Sequence, residues 1–189
     1  MTNNIPKPVG EEEIVYQGKI IEVVRQKMQV GEKEIVFELA RRSPGTRLII
    51  PTGDGKIFVT KEYRTELKTY DYRLPGGKVF DTLSEYNEFL KSGKDILEAA
   101  KAAAVKEAAE EAGLKVNNIT HFATSKCGAT IEWDLFYFVV GDFKKTEQNL
   151  EHGENIEILE VSLGEAKQIC LDGRMQEDRS AAVLLRYLK

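Results

Sequence analysis

The stretch that decides the fold is Ala104–Val116, "AVKEAAEEAGLKV", which sets Glu107, Glu110 and Glu111 just ahead of Gly113. Residues three and four apart share one helical face, so the three glutamates project together. The arrangement opposes the helix that carries it. Glu107 and Glu111 form a like-charge pair at i, i+4, which costs about 0.2–0.5 kcal/mol. The cluster also sits at the helix C-terminus, where the dipole disfavours each anion by roughly 0.3–1 kcal/mol. Lys106 and Lys115 offset part of this. The ordinary reading of a Glu-rich helix is a solvated charged face; a bound divalent cation relieves the repulsion more fully. Three carboxylates make a hard, oxygen-only donor set, which suits Mg²⁺ or Mn²⁺, whereas zinc sites draw on His or Cys.

Upstream, this helix opens at Asp95, a good N-cap, with Glu98 at the reciprocal position and an alanine-rich body running to Gly113, which suits the left-handed residue past a helix end. "DTLSEYNEFLKSG" (81–93) reads as a shorter helix opened by Thr82, with Glu85 three residues on, and closed by Gly93. Before it stands "LPGGK" (74–78), whose paired glycines, Gly76 and Gly77, let backbone approach a phosphate or a metal closely. By itself a Gly-Gly loop is most often a turn. Followed by an acidic helix, it becomes a candidate site.

The remaining chain reads as strands and terminal helices. "IVYQGKIIEVVRQKMQV" (14–30) and "KEIVFELARR" (33–42) are β-rich and meet across a short glycine-containing link. "TRLIIPT" and "GDGKIFVTKEYR" follow, with Asp54-Gly55 between them as a hairpin signal, and then "TYDYRLPGG". Beyond the acidic helix come "NITHFATSKC", "IEWDLFYFVVGDF" and "IEILEVS" as strands, the polar loop "KKTEQNLEHGEN", and two helices, the first opened by Ser162 with Glu165. The expectation is an α+β domain of layered α/β/α type, a mixed sheet sandwiched by helices with an N-terminal antiparallel β subdomain. Residues 1–13, with two prolines and no periodic apolar pattern, read as a mobile lead-in; 14–45 form the β subdomain, too small to stand alone; 46–189 form the main domain.

Composition excludes several classes. A formal charge of -4 and a sequence pI near 5.4 argue against a general nucleic-acid binder. No apolar run approaches the roughly 18 residues that span a bilayer, and "MTNNIPKPVGEEE" lacks the charged start and apolar stretch of a signal peptide, so the expected location is cytoplasmic. Cys127 and Cys170 are too few for a disulfide scaffold and read as small buried apolar residues.

The residues of "PGG" and "EAAKAAAVKEAAEEAGL" resemble the signature of the Nudix hydrolases, G-x5-E-x7-R-E-U-x-E-E-x-G-U, where U is a bulky apolar residue. Glu107, Glu110, Glu111, Gly113 and Leu114 match directly; Lys106 stands for the arginine and Ala108 for the first bulky position. The N-terminal half departs, because 20 residues separate Gly77 from Glu98 where the signature has five. Glu98 has the spacing of the first signature glutamate. On one continuous helix, however, it lies nine residues, or about 900°, from Glu107 and so points the opposite way; its other reading is the capping carboxylate of Asp95.

From about Val15 onward the chain is similar to one branch of that family, the pyrophosphatases of ADP-ribose and nucleoside diphosphate sugars, through "KEYR", the signature and "GENIEILEVSLGEA". The resemblance implies metal-dependent hydrolysis of a pyrophosphate bond in a small nucleoside diphosphate, and a homodimer that exchanges its N-terminal β piece. It assigns Glu107 and Glu111 as metal ligands, Glu110 as a supporting ligand, and the backbone at Gly76 and Gly77 as a further contact to metal or phosphate. The general base would come from the late loop, where Glu154, Glu151 and His152 all stand as candidates. Arg64 and Arg73 suit phosphate or sugar contacts and equally suit strand-end ion pairs; Arg42, beside the exchanged segment, suits a neighbouring subunit's pocket. Tyr63, Tyr70 and Tyr72 could stack on a base or simply pack. Arg73 before "LPGG", where the branch has glutamate, and Cys127 in place of proline leave the substrate open between a nucleotide sugar and a dinucleotide. A non-catalytic metabolite sensor is the reading from a different class.

Overall fold

A computed structural model describes residues 5–150 and 155–189. The chain divides into two units. One comprises Met1–Pro44, Phe80–Lys94 and Lys126–Asp134; the other comprises Gly45–Val79, Asp95–Ser125 and Leu135–Lys189.

Among its described residues the first unit is a four-stranded sheet with one helix. Its strands are β1 (Lys7–Gln17), β2 (Glu22–Val30), β3 (Lys33–Arg41) and the short β8 (Ile131–Glu132), in the order β1-β2-β3-β8. β2 and β3 form the hairpin read from the sequence, with Val30 opposite Lys33. Two expectations need correction. Residues 14–30 are two strands, not one, because the chain reverses at Gly18, whose N–H donates to Ile21 O at 2.8 Å. And β1 begins at Lys7, inside the stretch read as lead-in: antiparallel pairing from Lys7 opposite Gln29 satisfies its backbone, a long-range effect with no local apolar signature. Helix α1 (Leu83–Ser92) has the capping box of Thr82 and Glu85 and ends at Gly93 with φ 65°. Its Asn87 donates to Glu22, a carboxylate with 0% exposure, at 3.0 Å. Arg41 faces the same Glu22 at 3.5 Å and also pairs with Glu12 and Glu132.

Among its described residues the second unit holds two three-stranded sheets and three helices. One sheet has the order β4-β9-β7, from β4 (Gly45–Ile49), β9 (Leu135–Lys145) and β7 (Leu114–Ser125); the other has the order β10-β5-β6, from β10 (Ile156–Ser162), β5 (Lys56–Arg64) and β6 (Thr69–Arg73). β4 runs parallel to β9 and β7 antiparallel to it, which makes that sheet mixed. The hairpin expected across Asp54-Gly55 starts and then fails. Pro51 bridges Ile57 and Phe58 N–H reaches Ile50 O at 3.1 Å, but β4 and β5 then part into different sheets. The run "IEWDLFYFVVGDF" likewise divides, Ile131–Glu132 pairing with β3 of the first unit's sheet and β9 starting only at Leu135.

Helix α2 (Ile96–Glu110) carries the acidic cluster, and its alanines explain how it is placed. Ala100, Ala104 and Ala108, four residues apart, are all fully buried against Leu48, Phe136 and Phe138 of the β4-β9-β7 sheet. Small side chains let the helix axis come close to the sheet, so Ala108 at the bulky position of the signature belongs to the packing surface. Asp95 caps the helix, its Oδ1 accepting from Leu97 N–H at 2.9 Å rather than from Glu98. Helix α3 (Leu163–Leu171), capped by Ser162 on Glu165 N–H, packs on β10 and β5, and α4 (Asp178–Tyr187) packs on α3. The fold is α+β, as the sequence implied.

Candidate active site

Within the second unit, the chain after β6 turns back along β4. Leu48 N–H donates to Pro75 O at 2.8 Å and Thr46 N–H to Gly77 O at 2.9 Å, so the segment Pro75–Gly77 is fixed by backbone bonds. Gly76 has φ 144°, a conformation that excludes an L side chain, and a Cβ there would fall within 2.9 Å of Arg47 Cα. The glycine at 77 answers a different need. A Cβ on it would stand 2.5 Å from Cδ of Glu107. The absent side chain is the space that the Glu107 carboxylate occupies.

Glu111 approaches the same loop, its Oε2 accepting from Gly76 N–H at 2.6 Å. That short bond to a charged acceptor is of the stronger class. Glu107 and Glu111, both half-buried, thus flank the two glycines from successive turns of one helix. Glu110 departs from the pair, and its partner is Lys106 at 3.3 Å, the residue at the signature's arginine position. Among the described residues no three carboxyl, thiol or imidazole side chains converge on one point. The three-carboxylate cluster of the sequence is therefore a pair with a neighbour turned aside. The donors present, two carboxylates beside the backbone of a glycine loop, are all oxygens and fit a hard divalent cation.

The C-terminal end of α2 is covered by the chain that follows β9. Asn149 N–H donates to Glu110 O at 3.0 Å, and Gln148 Nε2 to Glu111 O at 2.5 Å, supplying donors to helix carbonyls that have no intrahelical partner. Glu151, His152 and Glu154 lie outside the described residues.

The arginines are distributed. Arg73 ends β6 immediately before the glycine loop and pairs with Asp71 at 2.6 Å; Asp71, 1% exposed, also accepts Gln176 N–H at 3.0 Å. Arg64 pairs with Glu62 at 2.8 Å and stands opposite Thr69, whereas Arg73 stands opposite Thr60. The two lie at opposite ends of the β5–β6 ladder, about 13 Å apart at a strand's rise per residue, so only Arg73 borders the glycines. In both, the ion-pair reading is realised. Arg42 belongs to the first unit, where its guanidinium lies 4.3 Å from the Trp133 ring centre. Tyr63 and Tyr70 meet edge to face at 5.5 Å on β5 and β6, and Phe136 is core. His121 is exposed and bonded to Thr124. Cys127 and Cys170 are half-buried free thiols, and burial pushes the Cys170 thiol up to about 11, which keeps it protonated and unreactive.

Sequence reasoning passed over one group. Arg47, in the apolar run "GTRLIIP", is buried in β4 and makes a two-point pair with Glu177, at 3.0 Å from Nε and 3.1 Å from Nη2. A lone arginine inside a continuous apolar strand was the available signal. Burial works against both charges, but each holds the other ionised: Glu177 keeps the Arg47 pKa above its ordinary value, and Arg47 keeps the Glu177 carboxyl below its own. A carboxyl depressed by folding lends stability that is complete above its unfolded value, near 4.5, and is lost as pH falls through the folded value. The expected melting temperature of the wild type therefore declines below about pH 4.5, and Glu177→Gln should flatten that acid limb while lowering stability at neutral pH by about 3 kcal/mol. An acid limb of unchanged slope in thermal melts would remove the pair as its cause.

Comparison with known proteins agrees with this geometry. The NUDIX domain model matches residues 41–183, and the chain belongs to the NUDIX family. It is 25% identical over 187 residues to the ADP-ribose pyrophosphatase of Bacillus subtilis (strain 168), covering 97% of this chain and 92% of that protein. It is 26% identical over 187 residues to the methanol dehydrogenase activator of Bacillus methanolicus, covering 94% and 89%. A solved structure described as an ADP compounds hydrolase superposes with a TM-score of 0.68 at 18% identity, over 95% of this chain and 90% of that one, and shares the fold. Of these relatives, the Bacillus subtilis protein carries the activity of the branch that the sequence resembles.

Proposed function

We propose that this chain hydrolyses the pyrophosphate bond of ADP-ribose or a related nucleoside diphosphate sugar, adding water across one P–O bond to release a nucleoside monophosphate and a sugar phosphate. The observation that carries the reading is the Gly76–Gly77 loop held between Glu107 and Glu111. Pyrophosphate would bring several negative charges to a place already occupied by two carboxylates, and a divalent cation, Mg²⁺ or Mn²⁺, would neutralise both and supply a water of lowered pKa. Glu107 and Glu111 would hold it. Glu110, whose carboxylate is turned to Lys106, would support them only by leaving that partner. Arg73, which precedes the glycine loop and pairs with Asp71, would exchange that partner for a substrate oxyanion. The general base follows from the family likeness alone and is assigned to Glu154, with Glu151 next.

The working form is proposed to be a homodimer. Ile14, Val15 and Tyr16 of β1 and Ile35, Val36 and Phe37 of β3 are all more than a third exposed, an apolar surface of the kind that a second subunit covers. No nucleic acid or membrane partner is proposed: the formal charge is -4, and no helix among the described residues is long and apolar enough to cross a membrane. The proposed site of action is the cytoplasm.

The test is product identification by chromatography after incubation with ADP-ribose, ADP-glucose, GDP-mannose and a dinucleotide polyphosphate in Mg²⁺. AMP and ribose 5-phosphate from ADP-ribose are the expected products. Cleavage of the dinucleotide alone would move the substrate class, and binding without any metal-dependent product would make the chain a sensor.

A further inference from the structure

Gly76 is gripped from two directions. Its N–H is donated to Glu111 at 2.6 Å, and its carbonyl accepts from Arg47 Nη1 at 3.2 Å. These two groups belong to the successive peptide planes that meet at the Gly76 Cα, and a glycine at φ 144° has no side chain of its own to restrict either plane. The same Arg47 Nη1 donates to Thr46 O at 2.9 Å, while Nε and Nη2 are taken up by Glu177. Glu177 stands at the N-cap of α4 and also accepts from the Ser180 hydroxyl, which lies 3.1 Å from Tyr137 Oη. A continuous chain of polar contacts therefore runs from the start of α4 through Glu177, Arg47 and Gly76 to the Glu111 carboxylate.

Such a pair is not explained by stability. Arg47 and Glu177 are 7% and 10% exposed, and a buried ion pair is commonly no more stabilising than apolar side chains of equal volume. Leu48 and Ile49, the next residues of the same strand, and Ile50 just beyond it are all buried, so this core accepts apolar side chains readily. The guanidinium does what an apolar side chain cannot: its planar fork bonds Glu177 on one edge and the Gly76 carbonyl on the other. The field of Arg47 also reaches Glu111.

We infer that Arg47, oriented by Glu177, is a positioning residue that fixes the Gly76 backbone and through it the direction of the Glu111 carboxylate. Its Nε, Nη1 and Nη2 donate to Glu177, Thr46 and Gly76, so in this role it would act through the loop and not by direct contact with substrate or cation. The inference rests on the proposed metal-dependent reading, and its test separates the two. Manganese is titrated into the purified full chain without substrate, free Mn²⁺ is followed by electron paramagnetic resonance, and kcat, KM and melting temperature are measured on the same proteins. Arg47→Met combined with Glu177→Gln removes both charges together. The expected result is a melting temperature within a few degrees of wild type, Mn²⁺ affinity weakened roughly 10- to 100-fold, the usual cost of losing support behind a ligand, and kcat lowered with KM within about twofold.

Manganese affinity and kcat within twofold of wild type would overturn the inference and leave the pair a structural one. Should the double variant not fold, Arg47→Lys decides the matter: its ammonium keeps the charge opposite Glu177 but cannot also reach the Gly76 carbonyl. Weakened manganese binding with retained melting supports positioning, and wild-type binding overturns it. Glu111→Gln is run alongside. If that variant binds Mn²⁺ as tightly as wild type, the metal reading itself fails; if it loses the ion while the Arg47 variants keep it, only the positioning role fails.

Discussion

Glu111→Gln is expected to lower kcat by about a thousandfold or more, on the order of 4 kcal/mol of transition-state stabilisation, with a melting temperature within a few degrees of wild type. The substitution keeps shape and volume and keeps an oxygen that accepts from Gly76 N–H, so the loop bond at 2.6 Å survives in neutral form. What it removes is charge. A neutral amide is a poor partner for a divalent cation, and its nitrogen presents donors where lone pairs are needed. Glu111 also stands four residues from Glu107, so loss of its charge removes a repulsion, and the folded chain is expected to hold or gain slightly in stability. Turnover measured at saturating substrate and Mg²⁺ against a thermal melt of the same preparation provides the check. Unchanged turnover would take the acidic helix out of the reaction.

The second large effect separates the two neighbouring glycines. Gly77→Ala is expected to cost activity about a hundredfold while leaving the fold intact, because the new methyl meets only the end of a side chain, the Glu107 carboxylate, which can swing away. Swinging away is what abolishes its use. Gly76→Ala is expected to cost the fold itself, by about 3 kcal/mol or more, since its methyl meets the backbone of Thr46 and Arg47 and φ 144° is barred to alanine. Denaturant melts and kinetics on both variants give the contrast. If Gly77→Ala retained wild-type turnover, the space it opens would not be the seat of a working carboxylate.

Much of this was legible in the amino-acid order because it is locally encoded. The cap residues Thr82, Asp95 and Ser162 all open helices, and "IEILEVS" is β10. The acidic helix and the glycine loop were readable because their residue types are chemically unusual where they stand. The misreadings share a physical origin. β1 from Lys7, the parting of β4 from β5 after Asp54-Gly55, and the break between Glu132 and Leu135 are all set by which distant strand supplies hydrogen bonds. A local window of residues does not contain that partner. Arg47 escaped notice for a related reason: its meaning comes from Glu177, 130 positions away. Glu110 shows the limit of helical periodicity, since sharing a face with Glu107 did not prevent its side chain from turning to Lys106.

The excursion Phe80–Lys94 leaves the second unit after Val79 and returns at Asp95, so the two halves of the family signature are joined there by hydrogen bonds rather than by adjacency in the chain. Widening the gap from five residues to 20 is two doublings, a closure penalty of about 1.2 kcal/mol. That is a small toll beside the grip of Glu111 on Gly76. The reacting centre is in this sense spliced, its two halves meeting in space across an intervening segment that belongs to the other unit.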